Sequence, residues 1–491
     1  MNSLLEFDEL IDAVHGTAVT ASPSEYIVFS SVCTDSRMVV PGSLFVPLIG
    51  TSQDGHKYIP QAIDKGASVL FVAESEYNGK TELYRGLSES KKVSFVVVRN
   101  TLTALQDAAA AYVRKFPALI KIGITGSSGK TTTKELCVSV FKQKYRVVST
   151  VGNLNSETGL PLSVFHITKD DQVGIFELGM NRRNEIAEIA GVLRPEYAVI
   201  TNIGTAHIGM LGSRNAIAEE KKKIFTYIDE HGAAFIPADD DYAGYLAEGV
   251  KGAVVRYGRT AAAAGVCFVA DKGIAGTEFT VDGVPVELHL PGRYNYQNAL
   301  GVIALARHLG VSAEQIKNGI ESLSPLDGRG QLLHLQVRKS DEAACGDMPC
   351  RLQVFQDCYN ANPDSLAKTL ELCASVTGRK IYVLGDMLEL GEASAASHEE
   401  AGRLAAASAG NAGDLIVFVG PEMRNAQQAA AGKTAAKILH FTEYDDKAMQ
   451  MLCTQLHAYI QDGDFILLKG SHGIGLERIT AFFKEHAYGN V

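Results

Sequence analysis

A glycine-rich loop after a short apolar run is the part of the sequence with the clearest chemical meaning. The apolar run is LIKIGIT (residues 119–125), and the loop begins directly after it. Glycines let backbone N–H groups turn inward on a phosphate, and a helix that begins near Lys130 points its positive end at the same place. The loop residues are Gly126, Ser127, Ser128, Gly129, Lys130, Thr131, Thr132 and Thr133.

Two side chains of this loop suit a bound nucleoside triphosphate. Lys130 can reach the β and γ phosphates, and the hydroxyl of Thr131 can hold Mg²⁺. The strict phosphate-loop pattern has a glycine five residues before Gly129, but Ile124 stands there and the first glycine is Gly126. An ordinary glycine-rich turn is the alternative. The strand before the loop and the helix after it favour the phosphate-binding interpretation.

Further candidate residues follow the next apolar runs. Glu177 comes directly after VGIF, where a carboxylate beside a phosphate loop suits Mg²⁺, although a solvent-facing strand end is an equal alternative. His207 follows AVITN. A lone histidine is more often structural, but a place at a third strand end of the same sheet favours a functional one. The lysines at 221–223 are typical of a solvated helix face or of a patch that attracts phosphate.

Asn295 and Asn298 lie near the start of an alanine-rich helix. Their amides present both a donor and an acceptor, which recognition of an adenine edge requires. Capping of the helix by Asn295 is an equal alternative. Arg329, in the segment Asp-Gly-Arg-Gly, is suited to clamp a γ phosphate across a gap between domains.

Three polar clusters follow apolar runs in the last third of the chain. Ligands of open α/β sheets lie beyond the carboxyl ends of the strands, so three clusters at one edge favour a binding site. The cluster members are Asp357, Tyr359, Asn360, Asn362 and Ser365, then the segment 385–391 followed by His398, and finally Lys469, Ser471 and His472.

Apolar runs that alternate with helical stretches predict an α/β protein of three domains. The length of 491 residues agrees, at about 150 residues per domain. We predict a small mixed α/β domain over 1–115 and a central domain with a P-loop ATPase-type parallel sheet over 116–325. A C-terminal, Rossmann-like doubly wound sheet is predicted over 326–491. The composition of the alanine-rich stretch 394–413 predicts a helix rather than a linker.

Composition excludes some classes of protein. A net charge of −10 argues against a protein that coats nucleic acid, and 46% hydrophobic residues argue against disorder. The acidic N-terminus is unlike a signal peptide and no apolar window suggests a membrane helix, so we expect a cytoplasmic protein. The eight cysteines form no Cys-x-x-Cys pair. Cys345 and Cys350 are close but without neighbouring histidines, so reduced thiols are expected rather than a zinc site.

Taken together and in order, these residues resemble the Mur ligase family, whose members form amide bonds with ATP in peptidoglycan precursor synthesis. The resemblance covers essentially the whole chain. Residues 126–133 match the family's own form of the phosphate loop, which accounts for the departure from the strict spacing. Other matching segments are Thr34–Arg37, 41–46, Asp54–His56, 152–155, 177–179, Asn202–His207 and the lysine helix.

Within the family, the segments 357–365, 385–391 and 469–471 resemble the branch that adds D-alanyl-D-alanine to a UDP-N-acetylmuramoyl-tripeptide. The resemblance implies ATP, two Mg²⁺ sites and an acyl-phosphate intermediate. We expect small-molecule substrates only, with no nucleic-acid partner, no membrane insertion and a monomeric chain.

The resemblance also implies roles for individual residues. Lys221 aligns with the family's carbamylated lysine, and Lys222 is the alternative register. The implied catalytic residues are Lys130, Glu177, His207, Lys221 and Arg329. The implied metal ligands are Thr131, Glu177, His207 and Lys221. The implied ATP-binding residues are Gly126, Ser127, Ser128, Gly129, Lys130, Thr131, Thr132, Arg329, Asn295 and Asn298 at adenine, and Asp357 at ribose. The implied substrate-binding residues are Ser36, Arg37, Asp54, His56, Asn153, Asn155, Tyr359, Asn360, Asn362, Ser365, His398, Lys469 and Ser471.

Five positions depart from the family pattern. His472 stands in place of an arginine, and a neutral imidazole cannot replace an always-charged, bidentate guanidinium. If that arginine holds the dipeptide carboxylate, another group must do so here, or His472 must be protonated. The other departures are Gly209 for Glu, Ser156 for Asn, Tyr294 for His and Ile474 for Met.

Three alternatives to this interpretation can be compared, of which the last two differ from it in class. One is another branch of the family, such as a folylpolyglutamate synthase or the third-residue ligase, which the 357–365 segment disfavours. A second is a nucleotide-binding switch without ligase activity, which leaves the first and third domains without a role. A third is a scaffold that has lost catalysis, which the joint presence of Lys130, Thr131, Glu177, His207 and Lys221 disfavours.

Overall fold

The protein contains three large β-sheets, and each is covered by helices. The structure is a computed structural model that describes residues 3–50, 53–259, 265–338 and 349–487. The three sheets follow one another along the sequence, as the strand–helix alternation predicts, and the α/β class is confirmed. The predicted limits of the three domains stay predictions.

The first sheet has the order β1-β5-β4-β3-β2, with only β1 antiparallel to its neighbour. Its strands are β1 (Thr17–Val19), β2 (Ser31–Cys33), β3 (Ser43–Phe45), β4 (Val69–Ala73) and β5 (Ser94–Val98). Its helices are α1 (Phe7–Val14), α2 (Ile59–Asp64), α3 (Glu74–Asn78), α4 (Thr81–Lys91) and α5 (Thr101–Arg114).

The second sheet is wholly parallel, in the order β11-β10-β9-β6-β8-β7. Its strands are β6 (Ile120–Thr125), β7 (Val147–Ser149), β8 (Val173–Glu177), β9 (Tyr197–Ile200), β10 (Ala233–Pro237) and β11 (Ala253–Tyr257). The helices of this part are α6 (Lys130–Phe141), α7 (Gly159–Val164), α8 (Glu185–Leu193), α9 (Ile208–Leu211), α10 (Arg214–Lys222), α11 (Ala243–Ala247), α12 (Arg293–His308) and α13 (Ala313–Glu321).

A small antiparallel sheet that the sequence analysis did not anticipate lies between α11 and α12. It consists of β12 (Val266–Asp271), β13 (Thr277–Val281) and β14 (Val284–Leu288). Burial alternates along β13, with Thr277, Phe279 and Val281 inward. That alternation, rather than a continuous apolar run, is typical of a sheet with one solvated face.

The third sheet has the order β15-β16-β20-β17-β18-β19, and only β15 is antiparallel to its neighbour. Its strands are β15 (Gln331–Val337), β16 (Cys350–Asp357), β17 (Lys380–Gly385), β18 (Leu415–Val419), β19 (Lys437–Phe441) and β20 (Phe465–Lys469). Its helices are α14 (Pro363–Ala374), α15 (Ser394–Ser408), α16 (Met423–Ala430), α17 (Asp446–Tyr459) and α18 (Glu477–Glu485). The helix predicted within 394–413 is therefore confirmed.

Helix α5 joins the first and second parts of the chain. The side chain of Asn100 caps it by accepting hydrogen bonds from the N–H groups of Leu102 and Thr103. Its buried face packs across the central domain, where Tyr112 contacts the ring of Phe165 and donates a 2.7 Å hydrogen bond to the carbonyl of Ile167. One continuous apolar core therefore spans the two parts.

Candidate active site

One cavity of about 370 Å³ lies between the carboxyl ends of the central strands and the C-terminal sheet. The three-dimensional structure thus brings together polar groups that are far apart in the chain. The predicted site residues that line it are Ser127, Ser128, Gly129, Lys130, Thr131, Thr132, Asn153, Asn155, Glu177, His207, Asn295, Asn298, Arg329, Asp357, Tyr359, Asn360, Asn362, Ser365 and Lys469.

The phosphate loop takes a conformation that only its glycines allow. Gly126 and Gly129 both have positive φ, and Gly129 is the N-cap of α6. A Cβ atom on Gly126 would lie 1.8 Å from Oγ1 of Thr201, and one on Gly129 would lie 2.6 Å from Oδ1 of Asn298. The glycines are therefore needed both for the turn and for the close approach of neighbouring side chains.

Lys130 lies at the start of α6, and its ammonium donates a 2.9 Å hydrogen bond to the carbonyl of Gly126. Burial lowers its pKa, and the charge of Arg329 acts in the same direction, while Glu177 opposes it. Two cationic side chains thus face the same space from different domains. That arrangement is suited to the negative charge of a polyphosphate.

Glu177, at the end of β8, is 2% exposed and both of its carboxylate oxygens are hydrogen-bonded. Oε2 accepts a 2.7 Å bond from the hydroxyl of Thr131, and Oε1 accepts a 2.7 Å bond from the amide of Asn155. A hydroxyl and a carboxylate side by side are oxygen donors of the kind that Mg²⁺ prefers. The donor set at this position therefore fits that ion.

Lys221 is fully buried, and within the described ranges its Nζ atom has no hydrogen-bond partner. Burial lowers its pKa well below the usual value, and the charge of Lys130 adds to the effect. An unpartnered buried ammonium is costly, so burial shifts the equilibrium of this side chain toward the neutral amine. Lys222, the alternative register, points elsewhere, because it bonds to the carbonyl of Tyr245 at 2.6 Å and lies over that ring.

His207 has a left-handed backbone conformation at the start of α9, with φ of 64°. Its Nδ1 atom lies 3.1 Å from Oε2 of Glu389, a residue of the C-terminal domain that also has positive φ. Burial lowers the pKa of His207, and Lys130 and Lys221 lower it further against the opposing effect of Glu389. The hydrogen bond between the two side chains lowers the pKa of Glu389.

The two asparagines of the predicted adenine site are buried within α12. Asn298 donates a 3.1 Å hydrogen bond to Oδ1 of Asn295, whose own amide nitrogen donates to the carbonyl of Pro291 at 2.9 Å. The N-cap of this helix is Gly292. The alternative that Asn295 caps the helix is therefore wrong.

The C-terminal wall is built around Asp357. Its Oδ2 atom accepts hydrogen bonds from Lys469 at 2.7 Å and from Thr369 at 2.9 Å. Beside it, the guanidinium of Arg329 lies 3.8 Å from the ring centroid of Tyr359. The ring of His472 stacks on the same tyrosine at 5.4 Å, with 22° between the planes. His472, which stands in place of an arginine, is thus part of this aromatic stack.

Several predicted site residues lie outside the lining of the cavity. In the first domain Ser36 bonds to Gln61, Arg37 pairs with Asp35, and His56 is buried between Asp54 and the N–H of Ala73. Gly126 and Lys221 are also not among the residues that line the cavity.

His398 does not line the cavity, and its predicted contact with substrate stays a prediction. It is fully buried, with one ring nitrogen accepting from the N–H of Met387 at 3.0 Å and the other bonded to the carbonyl of Ser394 at 2.8 Å. Ser471 likewise accepts a bond from the N–H of Leu388. Both residues hold the segment 385–391 in place.

Models of three Mur ligase domains match the chain. They are the Mur ligase family catalytic domain over residues 28–113, the Mur ligase middle domain over 124–306, and the Mur ligase glutamate ligase domain over 346–472. A protein of Treponema pallidum is 43% identical over 487 residues, which cover 98% of this chain and 99% of that protein. The chain belongs to the Mur ligase family.

Named relatives of this Mur ligase share one description. The Treponema protein is called UDP-N-acetylmuramoyl-tripeptide–D-alanyl-D-alanine ligase, as is a Bacillus subtilis protein that is 31% identical and covers 96% of both chains. The crystal structure of MurF from Acinetobacter baumannii has a TM-score of 0.81 with this chain, at 28% identity and 98% coverage of both. The three-domain Mur ligase architecture predicted from the motifs agrees with that similarity.

Some residues of the Mur ligase site were missed in the sequence analysis. Glu389 has no role of its own among the sequence predictions, although a carboxylate after a strand end, the signal that points to Glu177, also applies to it. Thr201 and Asn202 hold the phosphate loop, and Lys368 and Thr369 line the cavity from α14. No spacing rule singles out residues in the middle of a helix such as α14.

The described ranges contain no group of three or more His, Cys, Asp or Glu side chains arranged to hold a metal ion. Cys345, of the predicted Cys345–Cys350 neighbourhood, lies outside the described residues. No helix in those ranges is both long and apolar enough to cross a membrane.

Proposed function

We propose that this Mur ligase uses ATP to join D-alanyl-D-alanine to UDP-N-acetylmuramoyl-tripeptide in peptidoglycan precursor synthesis. The relatives that match nearly the whole chain are named for that reaction. The observation that carries the proposal is a cavity that is lined both by the phosphate loop and by the 357–365 segment of the C-terminal domain. A nucleotide bound at the loop would thus have its γ phosphate close to the part of the chain that resembles the dipeptide branch.

The proposed reaction has two steps. The terminal carboxylate of the tripeptide attacks the γ phosphorus of ATP, which forms an acyl phosphate and releases ADP. The amine of D-alanyl-D-alanine then attacks the acyl carbon, and phosphate leaves. ATP is required because a carboxylate is by itself a poor electrophile. Lys130 and Arg329, which both line the cavity, are the groups that would stabilise charge on the transferred phosphoryl group.

Mg²⁺ would neutralise charge on the phosphate oxygens when it is bound. Thr131 and Glu177 are the residues proposed to hold the first ion, since they already place a hydroxyl and a carboxylate in contact. His207 and Lys221 are proposed for the second. Lys221 fits carbamylation because a neutral amine is needed for the addition of CO₂, and burial favours that form here.

The residues that line the cavity also suggest how the adenine and ribose of ATP are bound. Asn295 and Asn298 are proposed to contact adenine, and Asp357 is proposed to contact ribose. Enclosure between two domains would keep water from the acyl phosphate, which would otherwise hydrolyse. We propose that the first domain holds the UDP end of the precursor, and that the chain acts as a monomer.

The experiment combines the chain with ATP, Mg²⁺, UDP-N-acetylmuramoyl-tripeptide and D-alanyl-D-alanine, and follows phosphate release. Release that depends on both substrates is expected, and its absence would reject the proposal. Replacing the dipeptide with L-glutamate or a diamino acid tests the other family branches. Tight ATP binding without turnover on any of these amines would favour the nucleotide-binding switch.

A further inference from the structure

We propose that Asp364 is a positioning residue, which reaches from the C-terminal domain to hold the loop 201–207 of the central domain in its working position. The expected kinetic effects rest on the proposed ligase function, whereas the contacts of Asp364 do not depend on it. Asp364 was given no role in the sequence analysis. It lies in the first turn of α14, one residue after Pro363.

The carboxylate of Asp364 makes two bonds across the domain boundary. Its Oδ2 atom accepts a 2.7 Å hydrogen bond from the backbone N–H of Thr205 and a 2.8 Å bond from the hydroxyl of the same residue. Hydrogen bonds to an ionised acceptor are stronger than neutral ones, and a backbone donor fixes the path of the loop itself. One side chain thus fixes both the main chain and the side chain of Thr205.

The neighbouring glycine shows how closely the two domains approach. A Cβ atom on Gly204 would lie 2.4 Å from Oδ2 of Asp364 and 3.3 Å from Cβ of Ser127. The N–H of Gly204 donates a 2.8 Å hydrogen bond to the hydroxyl of Ser127, in the phosphate loop. The segment held by Asp364 is therefore also in direct contact with the phosphate loop.

A second residue at the start of α14 strengthens this docking. Asn362 caps the helix through Ser365, and its amide nitrogen donates a 3.2 Å bond to the hydroxyl of Ser128. The start of α14 therefore contacts the phosphate loop through Asn362 and the loop 201–207 through Asp364.

The held loop leads directly to His207, two residues after Thr205. His207 bonds to Glu389, and a Cβ atom on Gly209 would lie 2.6 Å from the carbonyl oxygen of Glu389. The loop and the start of α9 are thus held by the C-terminal domain at two places. Asp364 acts through Thr205 on the position of His207, and Gly209 is a glycine because the backbone of the other domain lies against it.

A purely local role for Asp364 is the competing explanation, since a carboxylate in the first turn of a helix interacts favourably with the helix dipole. The variants Asp364→Ala and Asp364→Asn separate the two roles. Alanine removes both the charge and the acceptor, whereas asparagine removes the charge but keeps an oxygen that can accept both bonds from Thr205. The matched control is Glu371→Ala, an exposed residue of the same helix.

Phosphate release is measured for each variant over a range of ATP concentrations. We expect Asp364→Ala to lower kcat/KM for ATP by about 10- to 100-fold, since small displacements of catalytic groups cost that much. Asp364→Asn should recover most of the loss, and Glu371→Ala should equal the wild type. Thr205→Val, which removes only the hydroxyl, should give a smaller loss that is not additive with Asp364→Ala.

Amide hydrogen exchange of the segment 203–211 provides a readout that needs no turnover. Exchange should be faster in Asp364→Ala than in the wild type and unchanged in Glu371→Ala. Unchanged exchange in Asp364→Ala would overturn the proposal, as would wild-type kinetics in that variant or a loss that Asp364→Asn shares in full. If the wild type itself shows no ligase turnover, the proposed function fails, whereas the exchange experiment still tests Asp364.

Discussion

The hydroxyl of Thr131 donates a 2.7 Å hydrogen bond to Oε2 of Glu177, which joins the first turn of α6 to the end of β8. The two residues are 46 positions apart in the chain. Their contact places a hydroxyl and a carboxylate beside Lys130, where a metal–nucleotide complex would need them. It also shows which groups should be changed to test the metal site.

Glu177→Gln keeps the size of the side chain and its capacity to accept a bond from Thr131, but it removes the negative charge. If Glu177 holds Mg²⁺, phosphate release should fall by about 100-fold or more, and the Mg²⁺ concentration for half-maximal rate should rise. Titration of Mg²⁺ in the ligase assay measures both quantities. The exposed Glu219→Gln is the control, and an unchanged Mg²⁺ dependence in Glu177→Gln would contradict this assignment.

Lys221→Ala should lose ligase activity, because no carboxylate-like group can then form on that side chain. Short carboxylic acids such as acetate should restore part of the activity by entering the space that is left. Rates with and without added acid measure the effect. Lys222→Ala should keep its activity, since Lys222 bonds to Tyr245 away from the cavity. Full activity in Lys221→Ala would remove the carbamate role.

Lys221→Met should fold at least as stably as the unmodified wild type, because the buried amine lacks a partner in the described structure and an apolar side chain of similar length avoids its desolvation. Urea unfolding in bicarbonate-free buffer measures the free energy of unfolding. Added bicarbonate should change the stability of the wild type only. A marked loss of stability in Lys221→Met without bicarbonate would show that the amine makes a favourable interaction.

Tyr359→Leu should weaken the placement of Arg329, because the guanidinium lies over the tyrosine ring at 3.8 Å. A cation–π contact of this kind is worth about 0.5–2 kcal/mol, so kcat/KM for ATP should fall by roughly 2- to 30-fold. Tyr359→Phe retains the ring and serves as the control. Equal losses in the two variants would mean that the hydroxyl, rather than the stack with Arg329 and His472, is what matters.

His398→Ala should lower the free energy of unfolding by about 1–3 kcal/mol or more, since it leaves the N–H of Met387 and the carbonyl of Ser394 without their partner. Urea denaturation is the measurement. The family resemblance predicts instead that this histidine contacts substrate. A raised KM for D-alanyl-D-alanine with undiminished stability would support that contact and contradict the structural role.

The sequence was sufficient for features that local spacing specifies. The apolar runs with intervening helices predicted the α/β class, and the glycines at 126 and 129 predicted a phosphate loop that the backbone angles support. It was less successful where burial decides a role. The neighbours of His398 in the sequence do not reveal that its ring accepts a hydrogen bond from the N–H of Met387, because that contact depends on how α15 packs beside the segment 385–391.

By itself, the sequence determined the fold class, the family and most of the residues around the cavity, because strand ends and turn glycines follow from the order of residue types. Only the tertiary structure decided that Lys221 is fully buried whereas Lys222 bonds to Tyr245, that His207 pairs with Glu389, and that Asp364 holds Thr205. The last two contacts join positions 182 and 159 residues apart. Such contacts depend on the placement of one domain against another and on the direction of each side chain, which no local pattern specifies.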